Sequence, residues 1–196
     1  MRTAHLLSLV VIACGAACAA PRPVEVIPSA LAAKVEYSAD GLPNGSYKLY
    51  DATGRLYADG QFVGGRREGT WTFWDAASTK VVEMAYSGDR KNGRCRMWYG
   101  AFAYPKRAGN IRLDVPFSAD QQHGTRRTWW PTGEPKCEAA LQNGAVVDAR
   151  CWGSDGKIRT AADSADTVRH ELEADAKYLQ MLDEVVRESV ARDGRH

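Results

Sequence analysis

Histidine is scarce in this chain: there are four among 196 residues, and His5 and His196 lie at the two ends. His123 and His170 have no neighbours at the spacing of a metal site or a nucleophile–base pair. No Gly-x-Ser-x-Gly, no His-Glu-x-x-His and no phosphate-binding glycine loop occurs. These absences remove the commonest hydrolase, metalloprotease and nucleotide-binding signatures. The chain is therefore read as non-catalytic, with no cofactor and no metal. Charge of one sign is also missing, since 26 Lys+Arg against 24 Asp+Glu leaves a net charge of +2. Bulk charge thus does not point to nucleic acid as a partner. Finally, no apolar run reaches the roughly 20 residues that a bilayer-spanning helix needs.

What is present begins with an export signature in residues 1–20. Arg2 and the amino terminus are followed by an apolar run from Leu6 to Ala13 and then by small residues. Three processings fit. Cys14 follows Val11-Ile12-Ala13 as in a lipobox; Cys18 stands at a better signal length; ordinary cleavage after Ala19 is the third. A lipid-modified cysteine is preferred, which places the protein in the periplasm, tethered to a membrane. Residues 21–34, with Pro21, Pro23 and Pro28, are read as a tether, and Pro28-Ser29 is read as able to open a short helical turn.

From residue 35 to residue 159 one pattern recurs. Glycine leads and an aromatic residue stands five positions later: Gly45 with Tyr50, Gly69 with Trp74, Gly93 with Trp98, Gly124 with Trp129. A weaker copy runs from Val147 to Trp152. The first three starts lie 24 residues apart, the next interval is 31 and the last is 23. Periods of this size mean stacked supersecondary units. A turn falls nine residues after each start, at Asp51–Gly54, Asp75–Ser78, Pro131–Gly133 and Ser154–Gly156. Each unit then divides into two strands, with glycine-rich links such as Gly65–Gly69 and Gly88–Gly93 joining units. The expectation is a mainly β chain: one elongated antiparallel sheet of five hairpin units, about ten strands. The third unit is longer, because Gly100–Asn110 extends its turn into a protruding loop.

Glycine, an aromatic two residues on, another near five and a turn glycine near nine together resemble the MORN repeat. The likeness is nearer to the variant found in bacterial antitoxin or immunity proteins. It covers about two thirds of the chain, the second unit matching best and the third and fifth least. The resemblance implies a β-sheet array that holds partners, and it implies no catalytic residue.

Residues 160–196 change period. Val168, Leu172, Leu179, Leu182, Val186 and Val190 fall at helical steps, with Asp163 or Ser164 as N-cap and Asp166 in the first turn. Charge divides with the architecture. Residues 19–160 hold 20 basic and 15 acidic side chains, whereas residues 161–196 hold 5 and 9, an imbalance that invites contact between array and tail. Strand alternation puts Trp71 and Phe73 on one face and Trp74 on the other. The helix is expected to cover one face and leave the other to a partner. His170, Glu171, Glu173 and Asp175 are read as a solvated helix face.

Cys137 and Cys151 lie seven residues either side of Gly144, so a hairpin there sets them opposite one another as a disulfide; a one-residue register shift separates them. Cys95 occupies an aromatic's position and is read as a buried small hydrophobe. For binding, the sequence nominates Trp74, Trp98 and Trp129, the basic pairs Arg66-Arg67 and Arg126-Arg127, and Tyr104, Lys106 and Arg107 of the long loop. The expected partner is a protein, and the resemblance together with the export signature implies a secreted toxin that this chain neutralises. The alternative is an envelope scaffold contacting membrane lipid or cell wall.

Overall fold

A computed structural model describes residues 31–194. Eleven strands make one open antiparallel sheet. They are β1 (Ala32–Tyr37), β2 (Pro43–Tyr50), β3 (Leu56–Val63), β4 (Arg66–Trp74), β5 (Lys80–Ser87) and β6 (Arg90–Trp98). There follow β7 (Ile111–Ser118), β8 (Gln121–Gln122), β9 (Gly124–Trp129), β10 (Pro135–Gln142) and β11 (Ala145–Cys151), then one helix, α1 (Ala161–Asp193). Neighbours in sequence are neighbours in the sheet, except that β8 and β9 both pair with β7. These two are one strand interrupted at His123, which is why the strands number eleven where hairpin counting predicts about ten.

The two rims of the sheet are built differently. Along one rim the chain reverses through two-residue turns at Gly64–Gly65, Gly88–Asp89, Ala119–Asp120 and Asn143–Gly144, both residues of each having positive φ. This primed geometry matches the twist of the flanking strands. Along the other rim the turns are longer, and aspartate closes the first two. Asp51 Oδ1 accepts from the Thr53 and Arg55 amides at 2.8 and 3.0 Å, and Asp75 Oδ1 from Ala77 and Thr79 at 2.9 Å each.

The leading glycines, which the sequence places at the ends of the links between units, lie within strands instead. Gly69 lies inside β4 and Gly93 inside β6, each where register with the preceding strand shifts. A second irregularity recurs toward the aspartate-closed rim. Pairing skips Tyr57, Val81, Arg112 and Lys136, one residue per hairpin. Such a bulge re-aims a side chain, and Arg112 and Lys136 use it to reach α1.

One face of the sheet and one face of α1 enclose the core. Tyr47, Leu49, Trp71, Phe73, Met84, Met97, Leu113 and Val115 meet Val168, Leu179, Leu182 and Val186. Full burial of such a side chain stabilises by about 1.5–3 kcal/mol. Trp71 sits at the centre, with ring centroids 5.0 Å from Tyr47, 5.1 Å from Phe62 and 6.2 Å from Tyr86. Gly60 makes room for it: a Cβ there would fall 2.2 Å from the indole. Cys95 is fully buried in the same layer.

Several expectations are corrected. Ala32, Ala33 and Lys34 belong to β1, so the tether cannot run to residue 34 and no helical turn forms over 32–34; residues 21–30 lie outside the described residues, as do Cys14 and Cys18. The N-cap of α1 is Thr160, whose Oγ1 accepts from the Asp163 amide at 3.1 Å, and Asp163 supplies the first-turn acid. Glu171 and Asp175 are buried against the sheet, not solvated; His170 and Glu173 are the exposed pair.

Candidate functional site

The sheet's two faces carry opposite kinds of chemistry, and α1 determines which is which. The helix crosses the strands obliquely. The Cys151 amide donates to Ser164 Oγ at 3.1 Å on β11, whereas Tyr37 of β1 donates to Asp193 at 3.1 Å near the other end. Its 33 residues extend about 50 Å at 1.5 Å each, against roughly 43 Å for ten strands.

Between these ends the acidic tail meets the basic array. Arg126, only 1% exposed, donates through Nη1 to Glu171 and through Nη2 to Asp175, both at 2.6 Å. Arg112 reaches Asp175 at 3.2 Å and Lys136 reaches Glu171 at 2.7 Å. Burial raises the Glu171 pKa, but the Arg126 and Lys136 charges outweigh it and hold the group at about 2. Further along, Asp183 takes Arg67, Lys91 and the Tyr86 hydroxyl, the last at 2.7 Å. Burial opposes ionisation of Asp183, yet Lys91, Tyr86 and Arg67 keep its pKa below the ordinary value. The Arg67 guanidinium lies 4.0 Å over the Tyr86 ring. Tyr47 and Ser189 hydroxyls meet at 2.6 Å.

Two nominated binding residues are therefore corrected. Arg126 and Arg67 face the helix and clamp it. Alternation alone puts Arg126 and Arg127 on opposite faces; what the sequence does not display is which face α1 takes.

The open face keeps Trp74, Trp98, Trp129 and Arg127. Its middle row, read across consecutive pairs, runs Lys48, Asp59, Thr72, Glu83, Arg96, Asp114, Arg127, Glu138, Arg150. Opposite charges on adjacent strands stabilise such pairs. Arg94 holds Asp114 through both carboxylate oxygens at 2.6 and 2.7 Å, and Arg127 holds Glu138 at 2.8 Å. Beside this row stands a second one, at the aspartate-closed rim. Tyr50, Trp74, Trp98, Trp129 and Trp152 occupy equivalent register positions on alternate strands, all half-buried. Lys80 lies 4.2 Å over the Trp98 ring and pairs with Glu83 at 2.8 Å.

The loop between β6 and β7 belongs to the same rim and is braced on both sides. The Ala101 amide donates to Asp75 Oδ2 at 2.6 Å, Asn110 Nδ2 to the Pro131 carbonyl at 2.8 Å, and the Tyr99 hydroxyl to the Trp129 carbonyl at 2.7 Å. Tyr104 packs edge-on against Tyr99, centroids 4.8 Å apart. Phe102 is 70% exposed, and Lys106 and Arg107 are exposed as well. Arg66 is exposed at the opposite rim, beside the Gly64–Gly65 turn, so the nominated residues fall on three separate surfaces.

Cys137 lies directly opposite Cys151 and the two form a disulfide. The turn is the two-residue Asn143–Gly144, and pairing that passes over Val147 restores the symmetric register. Among the described residues no group of three or more His, Cys, Asp or Glu side chains is placed to hold a metal ion, and no helix is long and apolar enough to cross a membrane. No protein-family model matches the chain, and no curated protein matches it.

Proposed function

We propose that this chain is a non-catalytic, exported binding protein that holds a protein partner on its β-repeat surface, at the braced loop between β6 and β7. The observation that carries the reading is Phe102, 70% exposed on a loop tied down at Asp75, Trp129 and Pro131. An exposed aromatic beside Lys106 and Arg107 has the residue mix of protein-binding hot spots. A loop already held in shape loses little conformational entropy on binding. The export signature and the resemblance to immunity-type MORN repeats support the further reading that the partner is a toxin delivered to the envelope. Occlusion of the toxin's site would then be the mechanism.

The test compares the wild type with Phe102→Ala and with Lys106→Glu/Arg107→Glu in pull-downs from envelope extract, read by mass spectrometry. A protein retained by the wild type and lost from both variants is the expected result. Identical retention by all three would remove the loop as the binding surface. A second reading, an envelope scaffold that contacts membrane lipid or cell wall, is favoured by the aromatic row on the open face.

A further inference from the structure

The loop leaves the aromatic row of the open face unexplained. One ring recurs in each repeat, yet the core beneath α1 is filled from the opposite face by Trp71, Phe73, Met84 and their neighbours. We infer that Tyr50, Trp74, Trp98, Trp129 and Trp152 form a platform for a single extended glycan chain of the β-1,4-linked class, whose repeating unit is a disaccharide. Sugars of this class carry equatorial hydroxyls and present C–H groups on their ring faces. The C–H faces suit an aromatic ring, and the hydroxyls, which both donate and accept, suit a face that offers Arg and Lys donors beside Asp and Glu acceptors.

Spacing is the first support. The rings stand on alternate strands, so successive rings lie about 9.6 Å apart, close to one disaccharide repeat of an extended chain. Charge complementarity is the second. The adjoining row from Lys48 to Arg150 holds four basic and four acidic side chains, and on this face Arg94 pairs with Asp114, Arg127 with Glu138 and Lys80 with Glu83. A face whose charges neutralise one another suits an uncharged polyhydroxylated chain and offers little to a polyanion or to a strongly acidic protein. Twist is the third. Adjacent strands rotate by about 20–25°, hence roughly 45° between successive rings. A single chain can follow that rotation about its own axis, whereas a flat crystalline surface cannot. Lys80 now lies over Trp98 at 4.2 Å, in the place a sugar ring would take; its flexible stem lets it swing to a hydroxyl.

The experiment uses the purified protein and even-numbered chito-oligosaccharides from disaccharide to octasaccharide, measured by calorimetry and by tryptophan fluorescence. Affinity is expected to climb with each added disaccharide. Trp98→Ala and Trp129→Ala should each weaken octasaccharide binding about five- to tenfold, with circular dichroism unchanged. Trp98→Phe, which keeps an aromatic face, should recover most of the loss. The inference is overturned by an octasaccharide that gives neither heat nor fluorescence change, by affinity that stops rising at the disaccharide, or by alanine variants that bind like the wild type. Phe102→Ala should bind glycan normally, so failure of this platform and failure of the loop reading are seen separately.

Discussion

Arg126 shows how far a residue's role depends on which side of a sheet is covered. Its guanidinium spans two carboxylates four positions apart on α1, at 2.6 Å each, in a layer closed to water. Removing one partner of such a cluster leaves the others charged and desolvated, which costs more than the pair itself contributes. Arg126→Ala is expected to destabilise the protein by about 3–5 kcal/mol in urea denaturation. Arg127→Ala, which breaks a half-exposed pair with Glu138, should change stability by about 1 kcal/mol or less. Equal losses from the two neighbours would contradict the buried clamp. The sequence marks both as a basic pair and, by alternation, sets them on opposite faces, but it does not show which face α1 covers. The lone hint is the acidic excess of the tail, which announces contact without naming residues.

At the scale of elements, most of the architecture was legible. Periodic glycines and aromatics mark the strands, and Asp, Pro and Gly mark the turns of one rim, because each supplies a backbone conformation that few other residues tolerate. Bulges were not legible. Whether pairing skips Tyr57, Val81, Arg112 and Lys136 depends on the partner strand, and no single segment encodes it. The β10–β11 hairpin shows the two levels combined. Symmetry about Gly144 anticipates the cysteine pairing, while the turn and the compensating bulge appear once the strands are paired. The disulfide spans 14 residues and ties β10 to the end of β11, from which the chain runs on to α1. Cys137→Ser/Cys151→Ser should lower stability by about 3 kcal/mol, the loop-closure contribution for a span of this size. Hydrogen exchange should then rise first in β11 and at the start of α1; uniform exchange throughout would argue against that local role.

The whole molecule is a sheet with one face closed by an acidic helix, and its pH response follows. The carboxyl of Glu171 titrates at about 2 in the fold instead of near 4.5, and that of Asp183 is also lowered. Depressed acid pKa values give stability that is fully present above the unfolded value and lost as pH falls through the folded one. For Glu171 the loss runs from roughly pH 4.5 down to 2 and is on the order of 3 kcal/mol. Thermal midpoints measured from neutral pH downward should therefore decline through this window. Glu171→Gln, already destabilised, should decline less steeply; parallel curves would assign the acid sensitivity elsewhere. By itself the sequence determined the repeat, the hairpins, the helix and the cysteine pair, since each arises from local backbone preference and short-range periodicity. Tertiary structure alone decided which face α1 covers. That choice depends on charges and bulges brought together from strands far apart in the chain, and it turns Arg67 and Arg126 inward while leaving the aromatic row open.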